Sequence, residues 1–218
     1  KAHHARGFPN PTSARIVRAT TRGIRRRHGT AQRQAKALLR DDLFALLDKL
    51  GDRPKDIRDR AMILIGFATA MRRSELVALN VEDVEFIPKG ALVTIRRSKT
   101  DQEGKGRKIA VPYGRTRHCP IAALRGWLDF AGITAGPIFV SVNKHGHVLN
   151  ERVSGEAVSE VIKTRIEAAG YEPASFSGHS LRSGFATAAA QAGASVYKIK
   201  QTTGHRTDAS LARYMRDV

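Results

Sequence analysis

Residues 178–215 read GHSLRSGFATAAAQAGASVYKIKQTTGHRTDASLARYM. The spacing of small and apolar residues predicts three helices, over Ser180–Ala192, Val196–Thr203 and Thr207–Met215. Gly193 and Gly204 stand where C-terminal caps belong, and Ser180, Ser195 and Thr207 where N-caps belong. His179 and Arg182, three residues apart at a helix start, share one face, and the helix N-terminus adds partial positive charge beside them. His205 follows the cap glycine, and Tyr214 comes nine residues after it.

An imidazole and a guanidinium at a helix start can seat a phosphate. Read alone, the pair is equally a helix cap and a surface ion-pair partner. A phenol ionises near pH 10, so Tyr214 attacks phosphorus only where a base removes its proton or cations hold the phenolate. Its other reading is a packed ring with its hydroxyl to solvent. Tyr113, Tyr171 and Tyr197 have no comparable cluster nearby in sequence.

Upstream, Leu43, Leu46, Leu47 and Leu50 predict a helix over 41–49 closed by Gly51, and the run from Pro54 through Ala70 becomes apolar nearly all round, as a central buried helix should. Arg72 comes directly after it. Val84–Ile87, Ala91–Arg96 and Arg107–Pro112 read as three short strands, the first pair joined by a turn at Pro88-Lys89-Gly90. The last two flank a polar, glycine-rich stretch, Arg97 to Gly106, with Lys99 at its base, long enough to reach into a groove. Helices follow at Pro120–Ala131 and Ser154–Ala169. The predicted fold is α+β, mainly α-helical, with a small antiparallel three-stranded sheet.

Lys and Arg number 38 against 20 Asp and Glu, a net charge of +18. The first 40 residues hold 11 of those bases and no acid, and the remaining 178 hold 27 bases against 20 acids. Such a block predicts a polyanion as partner more readily than a solubility arm. Residues 1–29 read as an arginine-studded helix (Ala14–Arg27) capped near Thr12 or Ser13, residues 30–40 as a basic linker on the polyanion, and residues 41–218 as the main domain. Arg22, Arg25, Arg26, Arg27, Arg33, Lys36, Arg97 and Lys105 are the candidate contacts to that polyanion. The longest apolar stretch, Ala61–Met71, is too short to span a bilayer. A single cysteine, Cys119, excludes an internal disulfide and a cysteine-ligated zinc cluster. Asp41, Asp42 and Asp48 read as a solvated helix face and His145-Gly146-His147 as a loop, so neither a metal site nor a cofactor is expected.

Taken together, Ala70-Met71-Arg72-Arg73-Ser74-Glu75-Leu76, Ser98-Lys99-Thr100, His179-Ser180-Leu181-Arg182, Gly204-His205 and Tyr214 resemble, in order, the active-site boxes of the tyrosine recombinase, or phage integrase, family. The resemblance covers about residues 30–218. It implies a site-specific recombinase that cleaves and rejoins DNA through a 3′-phosphotyrosine, with neither metal nor ATP. Arg72 and Arg182 would hold the scissile phosphate, Lys99 protonate the leaving 5′ oxygen, His179 serve as base, His205 bind the phosphate and Tyr214 attack. It further implies that 1–29 is the end of an N-terminal core-binding domain, that the partner is double-stranded DNA, and that four copies assemble on it from a monomer in isolation. The expected location is the cytoplasm, the protein being prokaryotic or encoded by a phage or mobile element. Ala70, Arg73 and Thr203 depart from the family's usual glycine, apolar residue and leucine, and only local repacking is expected. A type IB topoisomerase would use similar residues to relax supercoils, and a DNA-binding regulator would need neither Tyr214 nor Lys99.

Overall fold

The computed structural model describes residues 2–29, 35–98, 106–205, 207–212 and 214–215. The chain divides into two compact units, 1–34 and 35–218. In the first, a short helix α1 (Ala2–Ala5) precedes a 3₁₀ turn at Pro11–Ser13, capped by Asn10, whose Oδ1 accepts the Thr12 N–H at 3.0 Å. Helix α2 follows (Arg15–His28). Its start carries no side-chain cap, because the chain enters from that turn through Ala14. At 100° per residue, Arg15, Arg18, Arg22, Arg25 and Arg26 fall within one arc of about 100°, while Ile16, Val17 and Ile24 lie on the other side.

The second unit begins six residues before Asp41, inside the stretch expected to be linker. Lys36 donates its N–H to the Ser175 carbonyl at 2.7 Å and Leu38 to that of Ser180 at 3.0 Å, and Leu38 is fully buried. An apolar residue with two such backbone anchors beside it belongs to a core. Helices α3 (Arg40–Leu47), α4 (Pro54–Thr69) and α5 (Arg73–Ala78) come next. Strands β1 (Val84–Ile87), β2 (Gly90–Ile95) and β3 (Arg107–Pro112) pair antiparallel in sequence order, with Ile95 opposite Arg107. The chain continues through α6 (Pro120–Ala131), strands β4 (Val140–Val142) and β5 (Val148–Arg152), and helices α7 (Gly155–Ala168), α8 (His179–Gln191), α9 (Val196–Thr203) and α10 (Asp208–Ala212).

Helix α4 is the axis of the core. Met62, Ile63 and Ile65 are completely buried, and the helix packs against α6 on one side and α8 on another, which is why its second half is apolar all round. Its first turns bury charge instead. Asp59 accepts Arg58 Nη2 at 2.8 Å and Arg165 Nη2 at 2.6 Å, and Asp56 pairs with Arg165 at 2.7 Å, so α4 is tied to α7 through ions that satisfy one another. Gly184 lets the 35–39 segment lie directly on α8, since a Cβ there would stand 1.9 Å from the Leu38 carbonyl oxygen.

Three local expectations give way. β4 and β5 form a second, two-stranded sheet, with His145-Gly146-His147 in its turn. Ser180 lies inside α8 rather than capping it, its Oγ accepting the Ser177 N–H at 3.0 Å, and Gly178 is the N-cap. The last helix stops at Ala212, and Tyr214 stands in a turn beyond it. There the Tyr214 N–H bonds Leu211 three residues back, and its carbonyl accepts the Thr187 hydroxyl at 2.6 Å. No helix among the described residues is long and apolar enough to cross a membrane.

Candidate active site

The end of α4 and the start of α5 build the first part of the site. Ala70 adopts left-handed backbone, φ 48° and ψ 32°, and reverses the chain out of α4. Arg72 then occupies the N-cap of α5. Glu75, three residues on and buried, accepts the Arg72 backbone N–H at 3.1 Å on Oε2 and Arg72 Nη1 at 2.6 Å on Oε1. An acid at the third helical position is well placed for the free amides and dipole of a helix start. Here it also fixes the guanidinium. Oε2 accepts a second cation, Arg107 Nη2, at 3.1 Å.

Arg182, one turn into α8, is 2% exposed. Its Nη1 donates to the Ala70 carbonyl at 2.7 Å, so the reversed turn after α4 and the helix α8 fix each other. Nη2 lies 3.3 Å from His205 Nε2. Burial, followed by the nearby Arg72, draws the Arg182 pKa down to about 10, which Glu75 and Tyr214 oppose and Arg107 assists. It stays charged at neutral pH.

His205 follows Gly204, whose left-handed conformation (φ 68°) ends α9. The Thr203 hydroxyl donates to the Ile199 carbonyl at 2.8 Å, which leaves its oxygen to accept His205 Nδ1–H, also at 2.8 Å. Nε2 is then bare and faces Arg182 as an acceptor. Burial and the cations Arg182, Arg72 and Arg107 hold the His205 pKa down to about 4, so the ring is neutral at pH 7. The Tyr214 ring lies against it, centroids 4.8 Å apart and planes at 45°. Tyr214 and Met215 also pack on the small apolar cluster of Ala186, Ile199 and Leu211, which fixes the turn below the ring.

His179, the first residue of α8, is exposed, yet partial desolvation and then Arg182, Arg73 and Arg72 lower its pKa. Arg73, one of the departures from the family pattern, extends over Gly178 and toward Ser159 Oγ at 3.4 Å and Glu156 at 3.6 Å. The substitution therefore adds a cation near His179 as well as repacking.

Of the six expected site residues, Arg72, His179, Arg182, His205 and Tyr214 gather here. Lys99 lies outside the described residues, as do Arg33 and Lys105. Arg97 is exposed just beyond β2, and Lys36 is exposed with Nζ 5.8 Å from the Phe176 ring centre. Arg22, Arg25, Arg26 and Arg27 are exposed on α2, in the first unit. Sequence reasoning left out Glu75 and Arg107. For Glu75 the signal was present, an acid three residues after an N-cap position. Arg107 carried none, being one of several bases around a glycine-rich stretch.

Arg72, Arg107 and Arg182 are balanced at the centre by the single carboxylate Glu75, and no carboxylate pairs with Arg182 among the described residues. The surplus positive charge, largely desolvated, suits an oxyanion bearing more than one charge. Among the described residues no group of three or more His, Cys, Asp or Glu side chains is placed to hold a metal ion.

The sequence matches the phage integrase family model over residues 36–218. It is 40% identical to an integrase/recombinase XerD homologue of Selenomonas ruminantium, over 98% of this chain and 64% of that protein. To the Cre recombinase of Escherichia phage P1 it is 27% identical, over 99% of this chain and 67% of that one. The chain thus spans about two thirds of the length of these relatives. The crystal structure of XerA recombinase superposes with a TM-score of 0.64 at 22% identity, covering 85% of this chain and 60% of that one. A λ integrase dimer bound to a COC′ core site gives 0.65 at 18% identity, covering 98% and 61%. At these identities the likeness speaks for the fold, which is that of a tyrosine-recombinase catalytic domain with a small antiparallel three-stranded sheet. With the family model matched across the whole second unit, the chain belongs to the phage integrase family.

Proposed function

We propose that this chain is the catalytic part of a site-specific DNA recombinase that breaks and rejoins strands through a tyrosine-linked intermediate. The observation that carries the reading is the unneutralised Arg182 beside Arg72, with the Tyr214 ring tilted against a neutral His205. The two guanidiniums would take the nonbridging oxygens of a scissile phosphate and stabilise the five-coordinate transition state. The Tyr214 oxygen would attack phosphorus, forming the 3′-phosphotyrosine bond as the bond to the 5′ oxygen breaks. Its proton would pass to His179, whose depressed pKa keeps it neutral and able to accept. Lys99 would give a proton to the departing 5′ oxygen. A second 5′-hydroxyl attacking the same phosphorus reverses the step and exchanges partners.

His205 has a further part. With Nε2 bare it cannot donate to a phosphate, but an arriving anion offsets the cations that depress its pKa and favours protonation there. The imidazolium then donates to the phosphate from Nε2.

Double-stranded DNA as partner, contacts by Arg22, Arg25, Arg26, Arg27, Arg33, Lys36, Arg97 and Lys105, assembly of four copies and a cytoplasmic location belong to the same reading. The net charge of +18 and the solved structures of similar fold, a λ integrase dimer bound to a COC′ core site and a λ integrase tetramer bound to a Holliday junction, support it. To test it, duplexes would be enriched from a random library by the Tyr214→Phe protein, nicked, and incubated with wild type in EDTA. An SDS-resistant adduct that disappears with Tyr214→Phe is the expected result. An adduct at wild-type level in that variant, or none from wild type on duplexes it binds, overturns the reading.

A further inference from the structure

Arg107 opens β3, opposite Ile95, at the root of the β2–β3 connection. Gly106 just before it needs positive φ (65°), and a Cβ there would stand 2.8 Å from the Ile95 carbonyl oxygen, so the chain turns tightly as it enters the strand. The Arg107 side chain is 17% exposed and touches both halves of the site. Nη2 donates to Glu75 Oε2 at 3.1 Å, on the carboxylate that holds Arg72. Nη1 lies where a side chain on Gly204 would begin, 2.7 Å from an added Cβ, one residue before His205. Nε is buried with no hydrogen-bond partner among the described residues. A buried donor left unmet costs about 1–3 kcal/mol, so stability alone is a poor account of this arginine.

We propose that Arg107 is a positioning residue for strand cleavage, clamping Glu75, and through it Arg72, to the Gly204–His205 turn. The inference rests on the strand-cleaving function proposed above. Only a flat fork spans both contacts, because a lysine ammonium has one donor centre and cannot bond the carboxylate while covering the glycine. Without the fork, Glu75 belongs to Arg72 alone and draws that guanidinium away from an incoming phosphate. Gly204 loses its cover, and His205 can drift from Arg182. Arg107 also adds to the positive field on His205, which is otherwise faced by Arg182, Arg72, the Tyr214 ring and the Thr203 hydroxyl.

The test compares wild type, Arg107→Ala, Arg107→Lys, Glu75→Gln and the Arg107→Ala/Glu75→Gln pair on the enriched nicked duplexes, measuring DNA affinity and single-turnover adduct formation at saturating DNA. Affinity should stay within about threefold while the cleavage rate of Arg107→Ala falls about 30- to 100-fold, as a misplacement near 1 Å does. Arg107→Lys, which keeps charge and stem and preserves the fold, should still lose about tenfold or more. The double variant should be little slower than the slower single one, since both act through one carboxylate. In an NMR titration of the His205 ring, Arg107→Ala should raise the midpoint above its wild-type value.

If both Arg107 variants cleave within threefold of wild type, or if their losses only track weaker DNA affinity or a smaller folded fraction, Arg107 does not position the site. Should wild type yield no Tyr214-dependent adduct, the strand-cleavage reading falls and this inference with it. A wild-type adduct with unimpaired Arg107 variants removes the inference alone.

Discussion

Replacing Gly184 by alanine sets two physical effects of opposite sign against each other. Helix propensity alone makes Gly→Ala in mid-helix favourable by about 1 kcal/mol. Against that, the new Cβ would sit 1.9 Å from the Leu38 carbonyl oxygen, 2.8 Å from its carbon and 3.1 Å from Phe67 Cε2. If the 35–39 segment stays down, helix and segment must part by more than an ångström, an overpacking strain of about 3 kcal/mol. If it lifts, the chain loses the burial of Leu38, about 2 kcal/mol, and the Lys36–Ser175 and Leu38–Ser180 hydrogen bonds, about 1 kcal/mol each. Freed chain entropy returns about 1–2 kcal/mol of this. The cheaper route sets the cost, so after the propensity gain the net loss is about 1–2 kcal/mol. With a urea slope of about 2 kcal/mol/M, the unfolding midpoint should drop by about 0.5–1 M. Hydrogen exchange should show the Lys36 and Leu38 amides losing protection. An unchanged or higher midpoint with those amides still protected would refute the argument that this segment is seated on α8 by the absence of a side chain.

Because the folded state resists protonating His205 down to about pH 4 while an unfolded histidine takes its proton near 6.5, the unfolded chain binds more protons between those values. Stability is therefore full above about pH 6.5 and falls as the pH drops toward 4, by up to about 1.4 kcal/mol per unit, with His179 adding in the same direction. Thermal midpoints from pH 7 to 5 check this, and His205→Asn should flatten the curve; an equally steep loss in that variant contradicts it. Arg182→Lys keeps the charge but cannot donate to Ala70 and still present a second donor pair, so cleavage should fall about 100-fold or more at unchanged DNA affinity, measured by the adduct assay. Neutralising Arg22, Arg25 and Arg26 together should reduce the slope of log K against log salt by about 0.9 for each phosphate no longer neutralised.

Much of this was legible because the informative patterns are local. The apolar run in α4 and the cap signals around α6, α7 and α9 placed those helices to within a residue, and the strands flanking the glycine-rich stretch carried their own alternation. β5 was missed since four of its five residues are exposed and Val148-Leu149-Asn150-Glu151-Arg152 has no alternating pattern to find. Ser180 looked like a cap, but the true boundary depends on Ser177 and Gly178, whose conformation the packing of Arg73 and Ser159 sets from other helices. The end of α10 is fixed by Thr187, 27 residues away. Arg72, His179, Arg182, His205 and Tyr214 were found as a set through the resemblance, whereas Arg107 becomes visible only when β3 is laid beside Glu75 and Gly204. Pairing across 32 residues leaves no trace in a single sequence.

The bond between Arg182 and the Ala70 carbonyl joins positions 112 residues apart. Contacts of that span form late, after the segments between them have found their places. During synthesis the basic N-terminal helix and the Arg72 turn leave the ribosome long before α8 exists, and Tyr214 comes after every other member of the cluster. A nascent or prematurely halted chain would therefore carry its basic helix without a completed cleavage site. On the proposed function, the order in which the site closes is a safeguard for the genome the protein acts on.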